Sequence, residues 1–210
     1  MDIDKILDIL EKTYPDAKCE LNYKTPFELL VATILSAQCT DERVNKVTKD
    51  LFEKYNTPED IVNLGEENLQ EIIKSCGLYK SKAKKIVQTC KILIEKYSGN
   101  VPNEIEKLVN LPGVGRKTAN VVLSNAYNID AIAVDTHVFR VSNRIGIIES
   151  KDPKDAEFKL MNIIPKQRWS KSHYLLIFHG RRTCKAKKPD CSNCSISNYC
   201  KYFKEKKGEV

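Results

Sequence analysis

The sequence predicts an all-α fold. Apolar residues recur at steps of three and four through nearly every segment of the 210 residues, and start and stop signals bracket those segments. No stretch longer than residues 131–134 reads as a strand, which disfavours a parallel sheet or a β-sandwich. Composition agrees with a globular chain: 41% hydrophobic and 30% charged residues with 8 Gly and 8 Pro exclude collagen-like, disordered and low-complexity classes.

The elements follow in order. Ile3, Ile6, Leu7 and Leu10 line one face before Pro15. Thr25-Pro26-Phe27-Glu28 combines a capping box with proline at the first helical position and opens the apolar run 27–35. Val44, Val47, Leu51 and Tyr55 mark the next helix, and Thr57-Pro58, Gly65 and Gly77 punctuate shorter ones. Ala83, Ile86, Val87, Cys90, Ile94 and Tyr97 mark a longer helix ending near Gly99. Asn103 is placed to cap the next, Asp135 one that stops near Gly146, and Asp152-Pro153 a further one. An echo at an offset of 36 sets Ile72, Gly77, Lys80, Ala83 and Ile86 opposite Leu108, Gly113, Arg116, Ala119 and Val122. Ordinary glycine capping of two helices explains such an echo equally well.

The formal net charge of +7 is unevenly spread: residues 1–75 carry 9 Lys/Arg against 16 Asp/Glu, and residues 76–210 carry 26 against 12. A fold that gathers the second half on one surface presents a basic face to a polyanion, most commonly nucleic acid, although a merely solvated lysine surface has the same composition. The longest apolar runs fall far short of the roughly 20 residues of a membrane span, and the acidic start resembles no targeting peptide, so the expected location is the cytoplasm. Eight cysteines are too sparse for a disulfide scaffold and read as reduced thiols or metal ligands.

Three strings carry chemistry. Leu111-Pro112-Gly113-Val114-Gly115-Arg116-Lys117 joins two helices through a sharp turn whose backbone N–H groups, at a helix N-terminus, suit a phosphate, with Arg116 and Lys117 adding charge. An ammonium at Lys117 faces the positive end of the helix dipole beside Arg116. That disfavours its charged form and favours an amine that is nucleophilic near neutral pH. In Ala133-Val134-Asp135-Thr136-His137-Val138-Phe139-Arg140-Val141, Asp135 ends an apolar run and starts a helix. A carboxylate held there stays ionised and suits the stabilisation of positive charge, whereas His137 serves local packing. Cys184, Cys191, Cys194 and Cys200 form C-x6-C-x2-C-x5-C, a spacing that leaves iron–sulfur and zinc near parity. Residues 165–188 around the first of them contain 8 Lys/Arg and no Asp/Glu.

The hairpin string, the V-D-T-H string and the cysteine spacing, in this order, resemble the endonuclease III family of DNA glycosylases and AP lyases, over roughly residues 20–205. The resemblance implies two helical domains flanking a DNA-binding cleft. Residues 20–130 would be a helical barrel-like domain with the helix-hairpin-helix at about 103–126, and residues 1–19 with 131–210 a domain bearing the cluster loop 184–200. It implies that Lys117 and Asp135 are catalytic, that Cys184, Cys191, Cys194 and Cys200 hold a [4Fe-4S] cluster of mainly structural role, and that the protein works as a monomer on double-stranded DNA with damaged bases or abasic sites. Gly113, Val114, Gly115 and Arg116 would meet the DNA backbone, as would Lys185, Lys187 and Lys188 in the cluster loop. Enzymes that flip a nucleotide out of the duplex must fill the gap, and the segments Leu35-Ser36-Ala37-Gln38 and Gly77-Leu78-Tyr79 resemble the family's gap fillers, with Gln38 facing the orphaned base and Leu78 wedging into the stack. Relatives that remove mismatched adenine have a glutamate at the position of Thr33 and lack the hairpin lysine. The expected activity is therefore removal of oxidised pyrimidines with β-elimination 3′ to the abasic site. The alternatives are a mismatch-specific glycosylase of the same superfamily and a non-catalytic DNA-binding iron–sulfur protein. Cys39 departs from the small or hydroxyl residues usual after Gln38, which bears on the pocket edge and on sensitivity to oxidation.

Overall fold

The computed structural model describes residues 2–208. Their helices are α1 (Ile3–Thr13), α2 (Pro26–Leu35), α3 (Asp41–Lys54), α4 (Pro58–Leu64), α5 (Glu66–Ile72), α6 (Tyr79–Tyr97), α7 (Ile105–Leu108), α8 (Arg116–Ala126), α9 (Thr136–Ile145), α10 (Pro153–Ile163), α11 (Trp169–Arg182) and α12 (Lys201–Lys207). No strand occurs among the described residues, and none of the helices is long and apolar enough to cross a membrane. The chain divides into two compact units, residues 20–129 and residues 1–19 with 130–210.

In the unit 20–129, α2 is buried on every face from Phe27 to Leu35, with α3, α6 and α8 packed around it. Its start is set locally: Thr25 accepts from the Glu28 amide at 3.1 Å and Pro26 takes the first helical position. The expected capping box is modified, because the Glu28 carboxylate accepts from the amide of Lys24, one residue before the cap, at 2.5 Å. The complete reciprocal box lies at Thr57 and Asp60 instead, with bonds of 3.1 and 3.2 Å. Asn103 does not cap α7, which follows Glu104 without any side-chain cap; burial of Leu108 holds this four-residue helix in place. Nor does the 36-residue echo extend to backbone geometry. The left-handed residue is Leu78 in the first copy and Gly113 in the second.

In the other unit, the stripe Ile6, Leu7 and Leu10 of α1 packs into a core with Val138, Val141 and Ile145 of α9, Leu160 of α10 and Leu175, Leu176 and Phe178 of α11. Fully burying such side chains contributes about 1.5–3 kcal/mol each, which is why an N-terminal helix joins the C-terminal half of the chain. Charge reinforces the choice: Arg168 reaches Asp4 at 3.0 Å and Asp8 at 2.8 Å, and Arg182 reaches Asp16 at 3.0 Å. The basic segment 165–188 thus spends two of its arginines on the acidic N-terminus. Residues 131–134 are buried but form no strand; the Ala133 carbonyl meets Nδ1 of the buried His173 at 2.5 Å.

Candidate nucleic-acid interface and cysteine loop

In the unit 20–129 the hairpin hangs on α6. Thr89 donates to the Pro112 carbonyl at 2.9 Å, and Gly113, with φ +82, sits so close to Lys85 that a Cβ would lie 3.2 Å from its Cδ. Val114 turns its side chain into the core and gives its N–H to the Leu111 carbonyl at 3.1 Å. Gly113 and Gly115 are the exposed members of the turn. Gly115 has extended backbone, φ −90 and ψ 174, and a Cβ there would meet nothing within 4 Å. Neither strain nor packing asks for glycine at this position, so its bare backbone is free for an outside group to approach. Helix α8 begins next with no side-chain cap, and Lys117 is half-buried in its first turn. An uncapped N-terminus of an eleven-residue helix presents partial positive charge.

The same unit brings together the two segments expected to fill a gap in the base stack. Gln38 and Leu78 both lie in the left-handed region, at φ 54 and φ 60. A Cβ on Gly77 would stand 3.2 Å from the Gln38 carbonyl oxygen, so the absence of a side chain at Gly77 is what lets the segments touch. Leu78 is 60% exposed, and Gln38 is exposed too. Leu78 thus holds an apolar side chain in water on strained backbone. Beneath these segments lies a residue the sequence reading passed over: Lys82, buried, donates from Nζ to the Leu35 carbonyl at the end of α2 at 2.7 Å. Desolvation lowers its pKa.

In the unit of residues 1–19 and 130–210, Asp135 caps α9. Its Oδ1 accepts from the amides of His137 and Val138, both at 2.8 Å. His137 spends its ring on packing, with Nδ1 3.2 Å from the Arg140 guanidinium. Helix α9 also positions the basic loop. Arg140 donates to the Cys184 carbonyl at 3.1 Å and the Gly180 carbonyl at 3.0 Å, and Arg144 to the carbonyls of Lys185 at 2.8 Å and Ala186 at 3.0 Å. Lys185, Lys187 and Lys188 remain exposed. Close approach of α9 to α11 requires Gly180, where a Cβ would stand 3.0 Å from that of His137. The one sequence signal for this arrangement was the i, i+4 spacing of Arg140 and Arg144.

Cys184, Cys191, Cys194 and Cys200 line a single, almost wholly apolar cavity with Ile145, Ile196 and Phe203. A cavity ringed by four thiols is the donor set of a metal centre. Burial pushes the Cys194 thiol up to about 11 and the Cys200 thiol upward as well, with neighbouring cysteines adding to both. Thiols raised in this way ionise readily only against a cationic centre. Arg144 stands 3.7 Å from the Cys184 sulfur, and burial of His179, 3.8 Å from Cys194, lowers its pKa to about 4.

Residues 31–166 match the HhH-GPD superfamily of base excision DNA repair proteins, and residues 184–200, from the first of these cysteines to the last, match the iron–sulfur binding domain of endonuclease III. The chain is 53% identical to the endonuclease III of Rickettsia conorii, with 96% of each chain covered. The chain belongs to the endonuclease III family. The endonuclease III of Bacillus subtilis is 52% identical, over 99% of this chain and 96% of that one. The solved structure of a trapped endonuclease III–DNA covalent intermediate superposes with a TM-score of 0.92 at 51% identity, covering 98% of this chain and 97% of the other. The cofactor is a [4Fe-4S] cluster.

Proposed function

We propose that this chain acts as a monomer in the cytoplasm on double-stranded DNA carrying oxidised pyrimidines or abasic sites, with Lys117 as nucleophile. Membership of the endonuclease III family makes it a base-excision DNA glycosylase and AP lyase that binds DNA. The observation that carries the residue assignment is the hairpin: an open Gly115, an uncapped helix N-terminus and Lys117 in the first turn behind it. A phosphate of the backbone docks on the turn 113–116. Gln38 and Leu78 occupy the gap left by the flipped nucleotide.

The Lys117 amine attacks C1′ of the extruded nucleotide, the glycosidic bond breaks, and the base leaves as an anion that takes a proton from water. Opening of the sugar gives a Schiff base between Lys117 and C1′; loss of a proton from C2′ then expels the 3′ phosphate, and water releases the lysine. Asp135 stabilises the positive charge that develops on the sugar and takes up the proton that the attacking amine sheds. The cluster, held by the thiolates of Cys184, Cys191, Cys194 and Cys200, supplies a structural staple. Lys185, Lys187 and Lys188 then meet the phosphate backbone from a loop whose carbonyls Arg140 and Arg144 hold.

Borohydride is expected to trap wild-type enzyme covalently on an abasic duplex and to trap none of Lys117→Ala. An undiminished adduct in the variant overturns the assignment. Duplexes carrying thymine glycol, 8-oxoguanine or a mismatched base test the lesion class, with thymine glycol the preferred substrate.

A further inference from the structure

Where the segments of Gln38 and Leu78 touch, each carries a cysteine beside the contact. Cys39 follows Gln38, whose carbonyl faces Gly77, and Cys76 precedes Gly77. The two side chains are close enough for Cys39 to raise the Cys76 thiol. Their access differs: Cys39 is half-buried and Cys76 fully buried, so solutes reach one thiol and not the other. Two cations face the pair. The Lys82 ammonium, pinned to the Leu35 carbonyl at 2.7 Å, lies near both thiols, and Arg43 near Cys76. Burial and the neighbouring Cys39 push the Cys76 thiol up to about 11 in spite of these two cations, so Cys76 stays a thiol until it is called on and the accessible Cys39 is the one placed to meet a disulfide first. The four cysteines of the cluster loop belong to the other unit, and Cys90 is buried with its thiol pushed up to about 12.

We propose that Cys39 and Cys76 form a reversible oxidation site: a low-molecular-weight disulfide closes them into an intramolecular disulfide that ties together the segments bearing Gln38 and Leu78 and slows base removal. The Cys39 thiolate attacks one sulfur of the small disulfide, whose S–S bond breaks and releases one half as thiolate. Cys76 then loses its proton and attacks the Cys39 sulfur, and the second half leaves as thiolate. Two protein thiols and one small disulfide thereby become one protein disulfide and two small thiols. Joined segments cannot part as a duplex is entered, so the effect on base removal rests on the reading of Gln38 and Leu78 given above.

The test uses the intact holoenzyme and oxidised glutathione, with the visible absorption of the cluster followed to show that it is retained. A non-reducing peptide map is expected to contain the Cys39 peptide joined to the Cys76 peptide. Base excision from a damaged duplex is expected to slow about tenfold, equivalent to about 1.4 kcal/mol on the barrier, and to recover fully in dithiothreitol. Cys39→Ser and Cys76→Ala, each active before treatment, are expected to form no such link and to keep their rate. Absence of the joined peptides in wild type overturns the proposal however Gln38 and Leu78 act, and joined enzyme working at full rate overturns the switch. The reading of the two side chains falls separately, if Leu78→Gly excises as fast as wild type.

Discussion

Arg144 donates to the backbone carbonyl of Lys185 at 2.8 Å, across 41 positions of sequence, and so fixes the start of the basic loop that the first cluster cysteine opens. A lysine whose backbone is already held loses less freedom when it meets a phosphate than one on a loose loop. Replacing Lys185, Lys187 and Lys188 together by Ala is expected to weaken DNA binding and to flatten the salt dependence of affinity by about one unit of log–log slope per lost phosphate contact. Arg144→Lys keeps the charge but loses the fork that spans two carbonyls; about a fivefold loss of affinity is expected, matching one hydrogen bond of about 1 kcal/mol. Titrations over a range of salt concentrations read both.

Asp135 serves structure and chemistry through one carboxylate, and two substitutions separate the roles. Asp135→Asn keeps an oxygen able to accept from the amides of His137 and Val138. It is expected to melt within a few degrees of wild type yet to lose about a hundredfold or more in turnover. Asp135→Ala adds the loss of the cap, about 1 kcal/mol, to the same catalytic defect. Thermal melts and single-turnover excision on one damaged duplex give the comparison.

Leu78 holds an exposed apolar side chain on a left-handed backbone, which costs a residue with a Cβ about 1–2 kcal/mol. Leu78→Gly is expected to leave the protein as stable as wild type or up to about 1 kcal/mol more stable, while excision slows. A variant that is both less stable and fully active would show that the side chain belongs to the fold and not to the DNA.

Lys82 makes stability depend on pH in a definite direction. Burial lowers its pKa in the folded chain below the 10.5 of a free lysine. Between the lowered value and 10.5 the unfolded chain binds more protons, so this group favours folding increasingly as pH rises through that window, and its buried charge costs most below it. Lys82→Met lacks the effect. Denaturant unfolding at successive pH values is expected to show wild type gaining stability relative to the variant as pH rises towards 10.5.

Local chemistry was most legible in the sequence where donor and acceptor lie within one helical turn. Thr25, Asp135 and Asp152 each start the helix their side chains suggest, because a short oxygen-bearing side chain reaches only amides two or three residues ahead. Gly146 ends α9 in the left-handed region for an equally local reason. Two equally local expectations differ in the structure: α7 follows Glu104 and not Asn103, and the Glu28 carboxylate takes the amide of Lys24 in place of that of Thr25.

By itself, then, the sequence determined the all-helical class, the tight hairpin ahead of Lys117, the cap at Asp135 and the spacing of the four cysteines. Periodicity, turn chemistry and ligand spacing are written within short stretches of chain. Only the tertiary structure decided that Lys82 holds the end of α2, that Cys39 meets Cys76, and that Arg140 and Arg144 hold the loop of Cys184. Each of those contacts spans roughly 40 positions. Which side chains meet over such distances depends on the angle and register at which whole helices pack, and those are set by the summed burial of many apolar residues, none of which names the polar pair that results.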